Sequence, residues 1–219
     1  MDRVITAICV QERNHQRVSI DLDGEYVFGL SRIVGAWLKV GDHISDEKIA
    51  TLKAQDSNEV AFQSALRLLN RRLRSSEEIR KGLIAKGFEP EQVDDIIQRL
   101  ISDKLLNDEK FMHSWIESRS HFHPRSRRLL KLELRKKGIA DDLIDTALAD
   151  SVEDTDLAYQ AATQYARRLA NLEWFEFRKR LSAFLGRRGF SYGTIVPVVN
   201  TVWEEQNQQQ GNPGENEGS

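Results

Sequence analysis

Apolar positions along the chain follow two rhythms, and the change falls near Glu59. Before it, "VITAICVQ" and "QRVSIDLDGEYVFGL" are β-branched runs with partial alternation. Between "VSIDL" and "EYVF" stands Asp23-Gly24, a hairpin signal because both turn positions favour φ > 0. Residues 3 to 30 are therefore expected to form a small three-stranded sheet, which is marginal alone and must lean on another element. "SRIVGAWLKVGDHIS" predicts a short helix capped by Ser31 and stopped by the Gly41-Asp42 turn, with Trp37 as a packing residue.

From Glu59 onward helical periodicity takes over. In "SSEEIRKGLIAKGF" the Ser75 and Glu78 spacing is that of a capping box, Ile79, Leu83 and Ile84 make an apolar stripe, and Gly87 ends it. The ending "LIAKGF" returns as "LRKKGI" and "LGRRGF", so that Gly87, Gly138 and Gly189 are 51 residues apart, twice over. A glycine at the C′ position takes the left-handed conformation, a preceding base suits the negative helix end, and the next apolar residue tucks back.

The repetition extends past the cap. Eight before each glycine stand Ile79, Leu130 and Leu181, and four before stand Leu83, Leu134 and Leu185. Six after come Val93, Ile144 and Ile195, and ten after come Ile97, Leu148 and Val199. Each unit thus carries a helix on either side of its glycine, with Pro90 well placed at a first helical position. "EVAFQSALRLLNRRL", "DEKFMHSWIESR" and "DLAYQAATQYARRLA" supply a further helix per unit. The expected architecture is mainly α: three tandem three-helix repeats of about 50 residues forming an elongated, curved array, with a small N-terminal β-sheet extension. Its parts are a β-rich extension with a short helix over 1–57, repeats over 58–107, 108–152 and 153–203, and a disordered tail over 204–219. Pro197 fits badly. It falls inside the last helix, where proline costs roughly 3 kcal/mol, so that helix is expected to kink or to begin late.

Composition narrows the class. With 219 residues and 40% apolar content the chain can bury a core. A lone Cys9, no charged-then-apolar leader and no run of 18 uncharged apolar residues predict a cytoplasmic protein that does not meet a membrane. The tail "EEQNQQQGNPGENEGS" is polar and acidic, with nothing to bury.

Charge is uneven within the near-neutral total of −2. In "RSHFHPRSRRLLKLELRKKG", Arg119, Arg125, Arg127, Arg128, Lys131, Arg135, Lys136 and Lys137 face one acid, Glu133. Arg128, Lys131 and Arg135 follow a spacing of three and four, which puts them on one helix face apart from Leu130 and Leu134. Arg178, Lys179, Arg180, Arg187 and Arg188 cluster in the third repeat, and Arg71, Arg72, Arg74, Arg80, Lys81 and Lys86 in the first. Such density suits a polyanion or an acidic protein face; a solvated helix surface is the plainer alternative. Helical Trp115, Trp174 and Trp203 read as core, and Phe122 is either core-associated or a stacking platform.

Other chemistry finds little footing. His113, His121 and His123 have no obvious fourth metal ligand, and Asp94-Asp95 and Asp141-Asp142 sit at helix starts, where the macrodipole explains them. No phosphate-cradling glycine motif occurs. No catalytic residue, metal site or cofactor is expected.

The quoted segments "RLRSSEEIRKGLIAKGF", "RLISDKLLNDEKFMHSWI" and "LLKLELRKKGIADDLIDTAL" resemble the RecX family of recombination regulators. The resemblance spans about residues 58 to 203, and a β-rich extension like residues 3 to 30 occurs in part of that family. It implies a monomeric, non-enzymatic protein that binds the RecA filament on DNA. It also implies damping of filament extension, strand exchange and the linked ATPase and coprotease functions, in recombination and the SOS response. Arg125 to Lys137 and Arg178 to Arg188 are then the candidate contacts to RecA or to single- or double-stranded DNA. The alternative is an autonomous nucleic-acid-binding helical repeat protein without a RecA partner.

Overall fold

A computed structural model describes residues 2–210, which fall into two compact units divided after Leu106. The first begins with strands β1 (Asp2–Gln11), β2 (Asn14–Leu22) and β3 (Glu25–Ser31), the short helix α1 (Arg32–Gly35) and strand β4 (His43–Ser45). The strands form one antiparallel sheet in the order β3-β2-β1-β4. Asp23 and Gly24 make the β2–β3 turn with φ of 54° and 91°, as the dipeptide predicts. Strand β4 was not foreseen; three residues bracketed by turn signals carry no period.

Alternation places Val18, Ile20 and Leu22 of β2 on the buried face, with Ile5, Phe28, Leu30 and Ile44 beside them. That face is covered by Ile49 and Leu52 of α2 (Asp46–Leu69), a 24-residue helix about 36 Å long. The same helix then buries Ala61, Phe62 and Ala65 against α3 (Ser76–Ile84) and α4 (Pro90–Ser102). It therefore runs through the boundary expected at 57/58. Asp56, at that point, accepts from Arg17 Nη2 at 2.8 Å and from the Ser31 backbone N–H at 2.5 Å, pinning the helix to the β2 and β3 ends. Trp37, expected to pack, is 87% exposed. Helix α1 is a single turn, and it is Val34 and Leu38, on either side of Trp37, that pack against the core between the sheet and α2.

The second unit holds α5 (Asp108–Phe122), α6 (Arg127–Lys136) and α7 (Asp141–Ala149), then α8 (Asp154–Ala166), α9 (Trp174–Arg187) and α10 (Tyr192–Gln210). Each trio has its own core. Phe111, Met112, Ile116, Leu130, Leu134, Ile144 and Leu148 pack in the first, and Leu157, Ala161, Phe177, Leu181, Leu185, Ile195 and Val199 in the second. All twelve positions that recur about the three glycines are buried. The glycines have φ of 87°, 81° and 88°, and each is followed by a bond closing a Schellman turn: Phe88 N–H to Leu83 O, Ile139 N–H to Leu134 O, and Phe190 N–H to Leu185 O.

Two equivalent serines, Ser75 and Ser126, are fully buried N-caps that accept from Glu78 and Leu129 N–H at 3.2 Å. In the third repeat the corresponding residue is Phe177, already inside α9, which starts a turn earlier at an uncapped Glu173. A buried ring there replaces a buried cap. Helix α10 begins three residues after its glycine, as α4 and α7 do, rather than late. It passes through Pro197, which is exposed, so the Gly193 carbonyl deprived of its donor is on the solvent side. Residues 204–210, assigned from composition to the tail, extend α10, with Glu205 accepting from Tyr159 Oη at 2.8 Å. Residues 211–219 lie outside the described residues. Trp174 and Trp203 meet with their rings 5.4 Å apart and tilted by 50° on the α8–α10 core, and Trp115 packs on the α5–α7 core, all three half-buried.

Candidate interaction surface

The basic run of the second repeat is sorted by the fold into paired and unpaired charges. Glu133 of α6 is the hub of the first group: its carboxylate accepts from Trp115 Nε1 at 3.0 Å, from Arg119 Nε at 3.1 Å and from Arg125 Nη1. Burial and the nearby Arg119 push the Arg125 guanidinium below its ordinary pKa. Arg119 and Lys137 also sit over the Trp115 ring, 4.4 and 4.9 Å from its centroid. This cluster fastens α5 to α6.

The helix face carrying Arg128, Lys131 and Arg135 does not present three free cations. Lys131 pairs with Asp145, and Arg135 holds Asp141 bidentately, its Nη2 at 2.7 Å, both acids coming from α7. The Arg135 bond is the main cause that lowers the Asp141 pKa. Arg127 is a link between repeats: its backbone N–H donates to Asp154 at 2.7 Å and its Nη2 reaches the Ser151 carbonyl and Glu153. Arg128 and Lys136 are exposed and have no side-chain partner among the described residues.

In the third repeat, Lys179 and Arg180 each lie 3.5 Å from Glu176, and Arg178 is over the Trp174 ring at 6.0 Å. Arg187 is exposed and unpaired among the described residues. Arg188 turns inward, donating from Nη1 to Pro124 O at 3.0 Å while the Ser126 N–H donates to the Arg188 carbonyl at 3.0 Å. Of the first repeat's bases, Arg72 is bidentate to Glu78, and Arg80 pairs with Glu77 and Asp94. The acids that neutralise these clusters sit mostly on the following helix, 6 to 14 residues away, a separation that reading one helix face does not reveal.

His113, His121 and His123 are exposed, and no group of three or more metal-ligating side chains gathers among the described residues. None of the described helices is long and apolar enough to cross a membrane.

Separately cored three-helix modules, glycine-capped at one spacing and carrying exposed cations, define a tandem helical-repeat protein. The comparisons with known proteins agree. Family models described as the first, second and third three-helix domains of RecX match residues 61–100, 107–148 and 152–199, and the regulatory protein RecX N-terminal domain matches 3–45. The chain belongs to the RecX family. It is 30% identical over 209 residues to regulatory protein RecX of Bacillus pumilus, covering 94% of this chain and 80% of that one. The Bacillus subtilis regulatory protein RecX is 31% identical over 202 residues, covering 90% and 76%. A crystal structure of regulatory protein RecX superposes with a TM-score of 0.67 at 24% identity, over 94% of this chain and 99% of that one. RecX from Lactobacillus salivarius gives 0.55 at 23%, over 70% and 99%. The family name gives the protein a regulatory role.

Proposed function

We propose that this protein binds RecA filaments on DNA and negatively modulates filament extension, strand exchange and the linked ATPase and coprotease functions, in recombination and the SOS response. It acts in the cytoplasm, as a monomer, by binding and without catalysis or a cofactor. The observation that carries this reading is the succession of RecX N-terminal and three three-helix domains along residues 3–199. The exposed bases support it, because filament and DNA are both polyanionic surfaces to which unpaired cations are drawn. Among the candidate residues, Arg128, Lys136 and Arg187 are the contacts left free by intramolecular pairing, whereas Arg125, Arg127, Lys131 and Arg135 are held by acids. The test is a pull-down with RecA before and after filament assembly, set against binding to bare DNA over a salt series. Capture by assembled filament beyond that by the same DNA alone supports the reading. Equal capture by bare DNA, with strand exchange unaffected, replaces it with an autonomous nucleic-acid-binding protein.

A further inference from the structure

Between the end of α5 and the last turns of α8 and α9 lies a cleft of about 300 Å³, lined by Phe122, His123, Tyr165, Arg168, Phe184 and Arg188. Its aromatic wall is a stacked pair: the Tyr165 and Phe184 rings are 4.0 Å apart and 3° from parallel. The Arg188 guanidinium lies 4.4 Å over Phe184, held from behind by the Pro124 carbonyl. No carboxylate answers Arg188 or the exposed Arg168 among the described residues, unlike Arg125 next door, which has Glu133. Burial and the neighbouring Arg125 both lower the Arg188 pKa, so its charge is held at a cost that an incoming anion would relieve. At the rim, Phe122 ends α5 with 73% of its surface in water.

These features select a ligand. A lone carboxylate would leave the Phe122 ring unused, and an apolar ligand would cover two guanidinium groups without an acceptor, which is unfavourable. A group with both a planar face and a phosphate uses everything present, and the cleft is at the small end of ligand pockets. We propose that it takes one nucleotide unit, free or within a single strand, with the base stacked on Phe122 and the phosphate held by Arg168 and Arg188.

Base-on-aromatic stacking is sequence-tolerant, and a phosphate contact to a single strand adds about 0.7 to the salt dependence. The proposal is independent of the RecA reading and is tested without RecA, by calorimetry on the full chain with thymidine monophosphate, a short oligothymidine and an abasic strand of equal length. Phe122→Ala and Arg168→Ala both alter exposed side chains, and circular dichroism checks that they remain folded. Phe122→Ala is expected to weaken oligothymidine binding roughly 5- to 150-fold and to leave the abasic strand unaffected. Arg168→Ala is expected to weaken both strands and to flatten the salt slope by about 0.7. Competition by thymidine monophosphate identifies a free nucleotide as a ligand, and strand binding without such competition identifies the strand. The proposal is overturned if no probe binds, if the wild type does not distinguish oligothymidine from the abasic strand, or if Phe122→Ala binds as the wild type does.

Discussion

Gly189 carries two constraints where Gly87 carries one. Both sit at φ near +88°, where an added Cβ meets its own backbone at roughly 1–2 kcal/mol. Space around Gly87 is open, whereas a Cβ on Gly189 would lie 2.6 Å from Ser126 Oγ and 2.9 Å from Leu129 Cβ, in the neighbouring repeat. Urea midpoints should accordingly show Gly189→Ala costing about 2–4 kcal/mol against about 1–2 for Gly87→Ala. Equal losses would mean that the two repeats separate without strain. Asp23 is the matching residue in the sheet. Its carboxylate accepts from the Val4 N–H at 3.1 Å and from Arg3 Nε at 3.0 Å, and these bonds, the backbone one first, lower its pKa. A depressed acid contributes stability above its unfolded pKa and loses it as pH falls through the folded value. Carboxyl titration by NMR should place the Asp23 midpoint below that of an ordinary aspartate, and Asp23→Asn should remove its share of the acid sensitivity.

At the scale of elements, α2 turns a marginal sheet into part of a folded unit, since its first half covers the sheet and its second half enters the first three-helix core. Asp56 is the polar fastening between them. Asp56→Ala takes the acceptor from the Ser31 N–H and leaves Arg17 with the Gly29 carbonyl but no acid, and should cost roughly 1–3 kcal/mol in thermal or urea unfolding. A silent substitution would show that apolar contacts alone hold the sheet. The α6–α7 pair behaves differently, because Arg135 and Asp141 are solvent-exposed and their pairing is weak in water. Arg135→Glu should lower the urea midpoint slightly by opposing Asp141 and Asp145, and adding Asp141→Arg should recover part of the loss. This pairing makes reversal of Lys131 or Arg135 a poor probe of binding, since it disturbs the helix pair as well as the surface.

For the molecule as a whole, the informative variant changes only unpaired cations. Arg128→Gln, Lys136→Gln and Arg187→Gln together should leave the melting temperature near wild type, because none has a side-chain partner among the described residues to lose and no acid is placed at the C-terminal ends of α6 and α9. If the proposed function holds, this variant should inhibit RecA strand exchange less. The deficit should be largest at low salt, where the Debye length is about 30 Å at 0.01 M against about 10 Å at 0.1 M. Inhibition equal to wild type across the salt range would move the contact away from these residues.

The helical repeat was legible in the sequence because its determinants are local or periodic. Gly87, Gly138 and Gly189 each end a helix by a backbone preference that needs no distant partner, and the four apolar positions about each glycine need only the 3.6-residue period. Asp23-Gly24 announced its turn in the same way. Strand β4, the exposure of Trp37 and the unbroken course of α2 were not legible, since each depends on which surface another segment has already covered. The candidate surface was legible only as composition. A lysine or arginine reads the same whether it is free or paired, and it was the packing of α7 on α6 that brought Asp141 and Asp145 onto Arg135 and Lys131 while leaving Arg128 and Lys136 in water. Local backbone and periodic burial wrote the repeat into the chain; long-range electrostatics, which act through space rather than along the sequence, waited for the tertiary structure to decide which charges remain available.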